Sequence, residues 1–172
     1  MKAIETIVYD FRELSKEAKQ IAIDKWYEHE DYPMLNDNLF DNFCELATLH
    51  GVEYENIKLY YSLSHSQGDG LCFVGILRKN GIDLYLTHTS RYYYAKSVSM
   101  EFIQHLPDES IEVAVDDNED ASNLFDIYIS ICNALEKIGY AEINYRMNEE
   151  EFNELCESNE WTFLPSGIMK NY

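Results

Sequence analysis

Apolar residues near the start of the chain recur at helical spacing. The first set follows Ser15, whose hydroxyl is placed to cap a helix. The second set begins near Leu35 and ends before Gly51, because glycine often ends helices. The apolar positions of the two predicted helices are Ala18, Ile21, Ala22 and Trp26, then Leu39, Phe40, Phe43, Cys44, Leu46 and Ala47. A short strand is predicted ahead of them, over residues 4–9. The chain therefore opens with a strand and two helices.

From residue 57 the pattern changes to alternation. Residues 57–63 and 82–87 alternate apolar and polar side chains, as strands with one buried face do, whereas residues 71–77 are apolar throughout, as in an inner strand. Asn80-Gly81 is a two-residue hairpin signal between two of these strands. Residues 92–103 alternate again and predict a further strand. The pattern predicts an antiparallel meander of about four to five strands.

The last third of the chain returns to helical spacing. An apolar stripe predicts a helix over residues 123–138, with Gly139 placed to end it. Asn148, with Glu151 three residues later, predicts a capping box at the start of a short helix. Strands grouped in the middle of the chain, with helices on both sides, indicate an α+β fold. We predict a single α+β domain over residues 1–172, with helices from both chain ends packed against the sheet.

Composition describes a folded protein without an evident metal or redox motif. The chain is 46% hydrophobic and 14% aromatic, which is too apolar for a disordered protein. The first residues lack the features of a signal peptide, and no stretch is apolar enough to cross a membrane. The four cysteines are widely spaced and three lie in apolar stripes, so buried free thiols are expected. We predict a cytoplasmic protein with no cofactor and no metal.

The negative charge is concentrated in the C-terminal half. The formal net charge is −19, and residues 101–160 hold 17 acidic side chains against Lys137 and Arg146, a net charge of −15. Such a surface repels nucleic acids and membrane phosphates and attracts basic partners. We therefore predict no direct binding to nucleic acid or membrane. An acidic surface that only maintains solubility is the alternative interpretation.

A glycine-rich stretch, LSHSQGDGLCF at residues 63–73, has three interpretations. A dinucleotide-binding loop needs a third glycine where Phe73 stands and a helix where a strand is predicted, so this interpretation fails. A β-hairpin turn explains the two glycines and the aspartate between them. A ligand-binding or partner-binding loop is the alternative, because further polar side chains lie beside the turn. The motif consists of Ser66, Gln67, Gly68, Asp69 and Gly70.

Serine catalysis at the same stretch requires a base held by a third group. Ser66 or Ser64 would act with His65 or His88, and Asp69 is the nearby carboxylate. Adjacent serine and histidine side chains point to opposite faces of a strand, which disfavours this arrangement. We predict a protein that is not an enzyme, with a small hydrolase using Ser66 and His65 as an alternative.

An acidic loop beginning at Asp116 has the first features of a calcium-binding loop. It departs from that pattern where Ala121 replaces the required glycine and Ile127 replaces the bidentate carboxylate. We interpret it as a solvated loop that leads into a helix, whose N-terminus favours negative charge. A weak metal site is the alternative.

Three consecutive tyrosines at residues 92–94 have basic neighbours, Arg91 and Lys96. This combination is typical of an aromatic platform that stacks bases or binds an anionic ligand. In a chain with 14 tyrosines, a half-buried sheet face is the favoured interpretation. If the segment is exposed, Tyr92, Tyr94 and Arg91 are the predicted ligand surface.

Four segments together resemble a family of small acidic proteins encoded by bacteriophages and prophages. They are YDFRELSKEAKQIAIDKW, YYSLSHSQGDGLCFVG, TSRYYYA and ESNEWTFLPSG, which span most of the chain in order, and the SQGDG core is the most specific part. Leu71-Cys72-Phe73 and His65 vary on the usual pattern around that turn. The resemblance implies a phage accessory protein in the cytoplasm of a bacterial host.

Charge and resemblance together predict an inhibitor of a host defence complex, of the anti-CRISPR or anti-restriction kind. Carboxylates three or four residues apart on a helix are spaced much like phosphates, so they suit a basic nucleic-acid groove. An antitoxin-like neutraliser that binds one partner through the SQGDG hairpin is the alternative. The predicted acidic contacts are Asp108, Glu109, Glu112, Asp116, Asp117, Glu119, Asp120, Glu150, Glu154 and Glu157.

Overall fold

A computed structural model describes residues 7–27, 34–106, 110–113 and 118–170. In chain order its elements are the 3₁₀ turn η1 (Phe11–Glu13), α1 (Lys16–Tyr27), α2 (Leu35–His50), β1 (Glu53–Ser62), β2 (Gly70–Lys79), β3 (Ile82–His88), η2 (Ala95–Ser97), β4 (Val98–His105), β5 (Ile111–Val113), α3 (Glu119–Arg146) and α4 (Glu149–Ser158). Both predicted N-terminal helices are confirmed. Residues 4–6 of the strand predicted over residues 4–9 lie outside the described residues, and in the described half Tyr9 forms an isolated β-bridge with Phe163.

The chain divides into two compact units. Unit 1 combines the segments Met1–Pro33 and Ala141–Tyr172, and unit 2 is the continuous segment Met34–Tyr140. The prediction of one domain over residues 1–172 stays a prediction, because two compact units of one chain can fold together or separately.

Unit 2 contains the sheet. Its five strands pair in the order β1-β2-β3-β4-β5, each antiparallel to the next, so the α+β class and the meander topology are confirmed. Asn80 and Gly81 both have positive φ, as the predicted hairpin turn between β2 and β3 requires. The ring of Phe73 contacts Phe43 of α2 at 5.0 Å and Tyr128 of α3 at 4.9 Å. Both helices therefore cover the face of the sheet that Phe73 occupies.

The strand predicted over residues 92–103 begins only at Val98. Residues 92–94 are irregular because side chains take the backbone groups of Tyr92 that a strand would use. The Ser90 hydroxyl accepts from the Tyr92 amide at 3.1 Å, and the Ser97 hydroxyl and His88 Nε2 donate to its carbonyl at 2.7 and 2.9 Å. The alternation of residues 92–97 was therefore a wrong signal for a strand.

The predicted helix over residues 123–138 is part of the longer α3, and Gly139 does not end it. A side chain at Gly139 would place its Cβ 2.5 Å from Leu63 Cδ1. The glycine therefore allows the end of β1 to approach the helix, and it is there for packing rather than for termination.

Unit 1 has its own core, built from the two ends of the described chain. Phe152 of α4 contacts Phe11 of η1 at 4.9 Å between ring centroids, and Phe163 packs on Phe11 at 5.9 Å. Trp26 and Trp161, 4.4 Å apart, lie at the edge of this core, so Trp26 is a packing residue as predicted. Asn148 caps α4 as predicted, since its Oδ1 accepts from the Glu150 amide at 2.8 Å. The predicted capping box with Glu151 is wrong, because the Asn148 amide donates to the Tyr145 carbonyl at 3.0 Å and the Glu151 carboxylate bonds the Tyr145 side chain.

Candidate functional site

The SQGDG motif forms the turn of a β-hairpin, as predicted. It lies between β1 and β2, whose last paired residues are Ser62 and Gly70. The carboxylate of Asp69 accepts from the Ser62 hydroxyl at 2.7 Å and from the amides of Ser64 and Ser66 at 2.6 and 2.9 Å. Partial burial acts to raise the pKa of Asp69, but these hydrogen bonds outweigh it and hold the pKa below its usual value. Asp69 therefore organises the turn.

The tyrosine segment packs directly on this turn. At Gly68, with φ of +94°, a Cβ atom would lie 2.5 Å from Cδ1 of Tyr92, and at Gly70 it would lie 2.9 Å from Cα of Tyr94. The amide of Tyr93 donates to the Gly68 carbonyl at 3.4 Å. The structure thus joins two motifs that the sequence suggested separately, and no local signal pointed to this contact.

Aromatic rings form a stack beside the turn. Tyr60 stacks on His88 with 4.6 Å between centroids, His88 stacks on Tyr93 at 5.7 Å, and Lys58 Nζ lies 4.9 Å from the Tyr60 ring. These contacts use ring faces that a bound base would need.

The predicted ligand surface is only partly open. The Arg91 guanidinium lies 4.9 Å from the Tyr92 ring and donates to the Tyr92 hydroxyl at 2.7 Å. Tyr94 packs against Tyr92 at 5.9 Å and is 43% exposed. The segment is therefore half-buried, as the favoured interpretation predicts, but it is not a sheet face, because β4 begins only at Val98. Tyr94 offers its most exposed ring.

The residues of the hydrolase alternative have other partners. The Ser66 hydroxyl accepts from that of Ser64 at 3.1 Å, the His65 ring stacks on Tyr140 at 4.5 Å, and His88 Nε2 binds the Tyr92 carbonyl. Within the described residues, neither the His65 nor the His88 imidazole is hydrogen-bonded to the hydroxyl of Ser64 or Ser66, as serine catalysis would require.

The predicted acidic contacts fall in both units. Glu112 lies on β5, and Glu119 and Asp120 lie in the first turn of α3, all three exposed in unit 2. Asn118 caps that helix, and Asn80 donates to the Asp120 carboxylate at 2.8 Å. The remaining residues predicted in this region lie outside the described residues: Asp108, Glu109, Asp116 and Asp117.

Glu150, Glu154 and Glu157 form one exposed row along α4 in unit 1, which we call the α4 row. Their spacing of four and three residues places them on one side of the helix. Glu157 also contacts Arg12 Nη2 at 3.1 Å and accepts from Asn153 Nδ2 at 3.1 Å. Glu150 and Glu154 keep carboxylates that face solvent.

Two grooves in unit 1 were not predicted. Phe11, Arg12 and Asn153 line both of them, and their volumes are about 420 and 670 Å³. Lys19 Nζ lies in the smaller groove, 5.4 Å from the Phe11 ring centroid and 2.7 Å from the Glu149 carboxylate. Residues from η1, α1 and α4 meet here, and their separation in sequence left no pattern by which to find the grooves.

Three of the four cysteines are buried free thiols: Cys72, Cys132 and Cys156. Cys44, which the sequence placed in the apolar stripe of α2, is a free thiol that is only half-buried. Burial raises the pKa of Cys156 to about 12. In the part of the chain that the structure describes, no group of three or more His, Cys, Asp or Glu side chains is placed to hold a metal ion.

Comparison of the chain with protein-family models, curated proteins and solved structures gives no match. Across the described ranges, no helix is both long enough and apolar enough to span a membrane.

Proposed function

We propose that this protein binds a basic, nucleic-acid-binding defence protein of a bacterial host and inhibits it by occupying its groove. The observation that carries the proposal is the α4 row. Glu150 and Glu154 are exposed on one side of a capped helix, and their spacing resembles that of phosphates along a strand.

The charge around the α4 row supports the same proposal. Residues 101–160 carry a net charge of −15, so the helix lies within a strongly acidic stretch of sequence. A field of this sign accelerates encounter with a basic groove and disfavours nucleic acid as a ligand. The binding is therefore sensitive to salt.

The test is capture of partners from a bacterial lysate that contains intact defence systems, followed by competition. A nuclease or other nucleic-acid-binding defence protein is expected on the column at low salt, and added duplex DNA is expected to displace it. The purified partner is then titrated with Glu150→Lys/Glu154→Lys, and with Asp41→Lys/Glu45→Lys on the exposed surface of α2 as the matched control.

The first variant is expected to lose more affinity than the control, although both change the net charge equally. Equal losses in the two variants would mean that net charge alone governs binding. A captured partner that DNA does not displace would count against occupation of its groove.

A second candidate function is neutralisation of one protein partner through the SQGDG hairpin. It is favoured by the exposure of His65, Ser66 and Gln67 on a turn that Asp69 holds in place. Gln67→Ala leaves the Asp69 hydrogen bonds intact, so it is the direct test, with Gln20→Ala on α1 as control. Loss of a salt-resistant partner with Gln67→Ala alone would favour this candidate over the first.

A further inference from the structure

Asn153 carries an unsatisfied polar atom inside unit 1. The residue is only 6% exposed, and its Oδ1 is the one buried side-chain oxygen or nitrogen without a hydrogen-bond partner in the described ranges. Its Nδ2 donates to Glu157 at 3.1 Å, so half of the amide is satisfied. Buried polar atoms in folded proteins nearly always have partners, and a lone acceptor indicates that a donor comes from elsewhere.

The larger groove, which Asn153 lines, suits a cation with an extended apolar part. Phe11, Cys156 and Trp161 contribute its apolar and aromatic surface. Its lining also includes four carboxylates, those of Asp10, Glu13, Glu157 and Glu160, against the guanidinium of Arg12. The groove is therefore acidic around an aromatic floor.

We propose that the larger groove binds an arginine side chain of a basic protein partner, which donates hydrogen bonds to Asn153 Oδ1 and to the Glu157 carboxylate. This inference rests on the proposed function, since it names the side chain by which the basic partner is held. Asn153 and Glu157 are hydrogen-bonded to each other, so both acceptors lie within the span of one planar guanidinium. Asn153 Oδ1 is buried, so the Asn153 side chain turns toward the groove when the guanidinium binds.

The chain's own Arg12 shows that a guanidinium fits at Glu157. Its Nη2 lies 3.1 Å from Glu157 Oε1, while 69% of the Arg12 side chain remains exposed. Such an exposed ion pair is weak, so an incoming arginine can displace it. A lysine ammonium has no planar fork and stacks less well on an aromatic ring, so arginine is preferred over lysine.

The experiment measures binding of fluorescein-labelled hexaarginine and hexalysine peptides to the full chain by fluorescence anisotropy. Asn153→Leu is expected to lower affinity for hexaarginine about tenfold, the effect of one charge-assisted hydrogen bond, and to leave affinity for hexalysine unchanged. Asn144→Leu, at an exposed position of α3, is the matched control and is expected to change neither. Circular dichroism verifies that each variant is folded.

Arg12→Ala provides a second test, in which affinity for hexaarginine is expected to rise because the variant removes the competing guanidinium from an exposed position. It is expected to raise affinity for hexaarginine more than Lys170→Ala does, although both remove one positive charge. Unchanged hexaarginine affinity in Asn153→Leu, an equal loss for both peptides, or equal effects of Arg12→Ala and Lys170→Ala would each overturn the inference.

Glu150→Lys/Glu154→Lys separates this inference from the proposed function. If this variant weakens both peptides while Asn153→Leu weakens neither, the α4 row is supported and the arginine site is refuted. If Asn153→Leu alone weakens hexaarginine, the arginine site is supported, and Glu150 and Glu154 are refuted as the contact.

Discussion

The Asp69 carboxylate is expected to hold the SQGDG turn by charge as well as by shape. Replacing it with asparagine retains the size and one acceptor oxygen, and removes the charge. That oxygen can still accept from the amides of Ser64 and Ser66, while the new amide nitrogen faces the Ser62 hydroxyl, which can rotate to accept. Asp69→Ala, in contrast, removes every one of these bonds.

The magnitude follows from the number of bonds and their exposure. A hydrogen bond to a charged group contributes roughly 1.5–3 kcal/mol, but the turn is partly exposed and water replaces much of what is lost. We expect Asp69→Asn to lower the free energy of unfolding by about 1 kcal/mol and Asp69→Ala by about 2–3 kcal/mol at neutral pH. Asp41→Asn, on the exposed side of α2, is expected to change it by less than about 0.5 kcal/mol.

The assay is urea denaturation followed by far-UV circular dichroism, which reports both units, between neutral pH and pH of about 3. The pKa of Asp69 is depressed in the folded protein, whereas an unfolded aspartate has a pKa of about 3.9. The carboxylate therefore contributes its stability fully above the unfolded pKa and loses it as pH falls through the lower, folded pKa. The difference between the wild type and Asp69→Asn is expected to shrink over that range.

A difference between wild type and Asp69→Asn that stays constant from neutral to acidic pH would refute this reasoning, since the loss would then come from shape and not from charge. Equal stability of the two proteins at neutral pH would refute it as well. The Asp41→Asn control excludes a general effect of one carboxylate fewer.

Three further predictions concern packing and thiols. Gly68→Ala is expected to lower the free energy of unfolding by about 2–3 kcal/mol, because the new Cβ would meet the Tyr92 ring and the residue has positive φ. Gly51 also has positive φ but open space around it, so Gly51→Ala is expected to lower the free energy of unfolding by about 1 kcal/mol. Urea denaturation measures both. Phe152 is buried, so Phe152→Ala is expected to lower the free energy of unfolding by about 3–5 kcal/mol, whereas Leu155→Ala, at an exposed position, is expected to lower it by less than about 0.5 kcal/mol. The fluorescence of the two tryptophans in unit 1 follows unfolding of both variants. A chromogenic thiol reagent is expected to modify one cysteine rapidly in the folded protein and all four in urea, and rapid modification of a second thiol would contradict the assigned burial.

Local signals were sufficient for much of the fold. The αL conformation of Gly51 after α2, the positive φ values at Asn80-Gly81 and the Asn148 cap each depend on a few neighbouring residues, so the sequence predicts them directly. The strand predicted at the tyrosine segment was wrong, because the alternation of apolar and polar side chains does not show whether the backbone groups are free to pair. The hydroxyls of Ser90 and Ser97 bind the amide and the carbonyl of Tyr92, which are then not available to a strand.

The candidate sites depended on contacts that sequence patterns do not contain. The SQGDG turn was recognised from its composition, but its contact with Tyr92 and Tyr94 joins two irregular segments that are separated in the chain by β2 and β3. Asn153 gave no signal at all, because an asparagine on an acidic helix is ordinary until its burial and its missing partner are known. Patterns of residue type thus indicate elements, and tertiary contacts decide which side chains share a site.

The composition of unit 1 from two separated segments has a consequence for synthesis. The apolar face of α1, with Ala18, Ala22 and Ile23, is made long before its partners Phe152 and Phe163. At ordinary elongation rates this interval is on the order of ten seconds, and unit 2 is completed within it. The apolar residues of α1 therefore lack their partners until after the residues of unit 2 have been synthesised, and a ribosome that stalls in this interval would present them to chaperones.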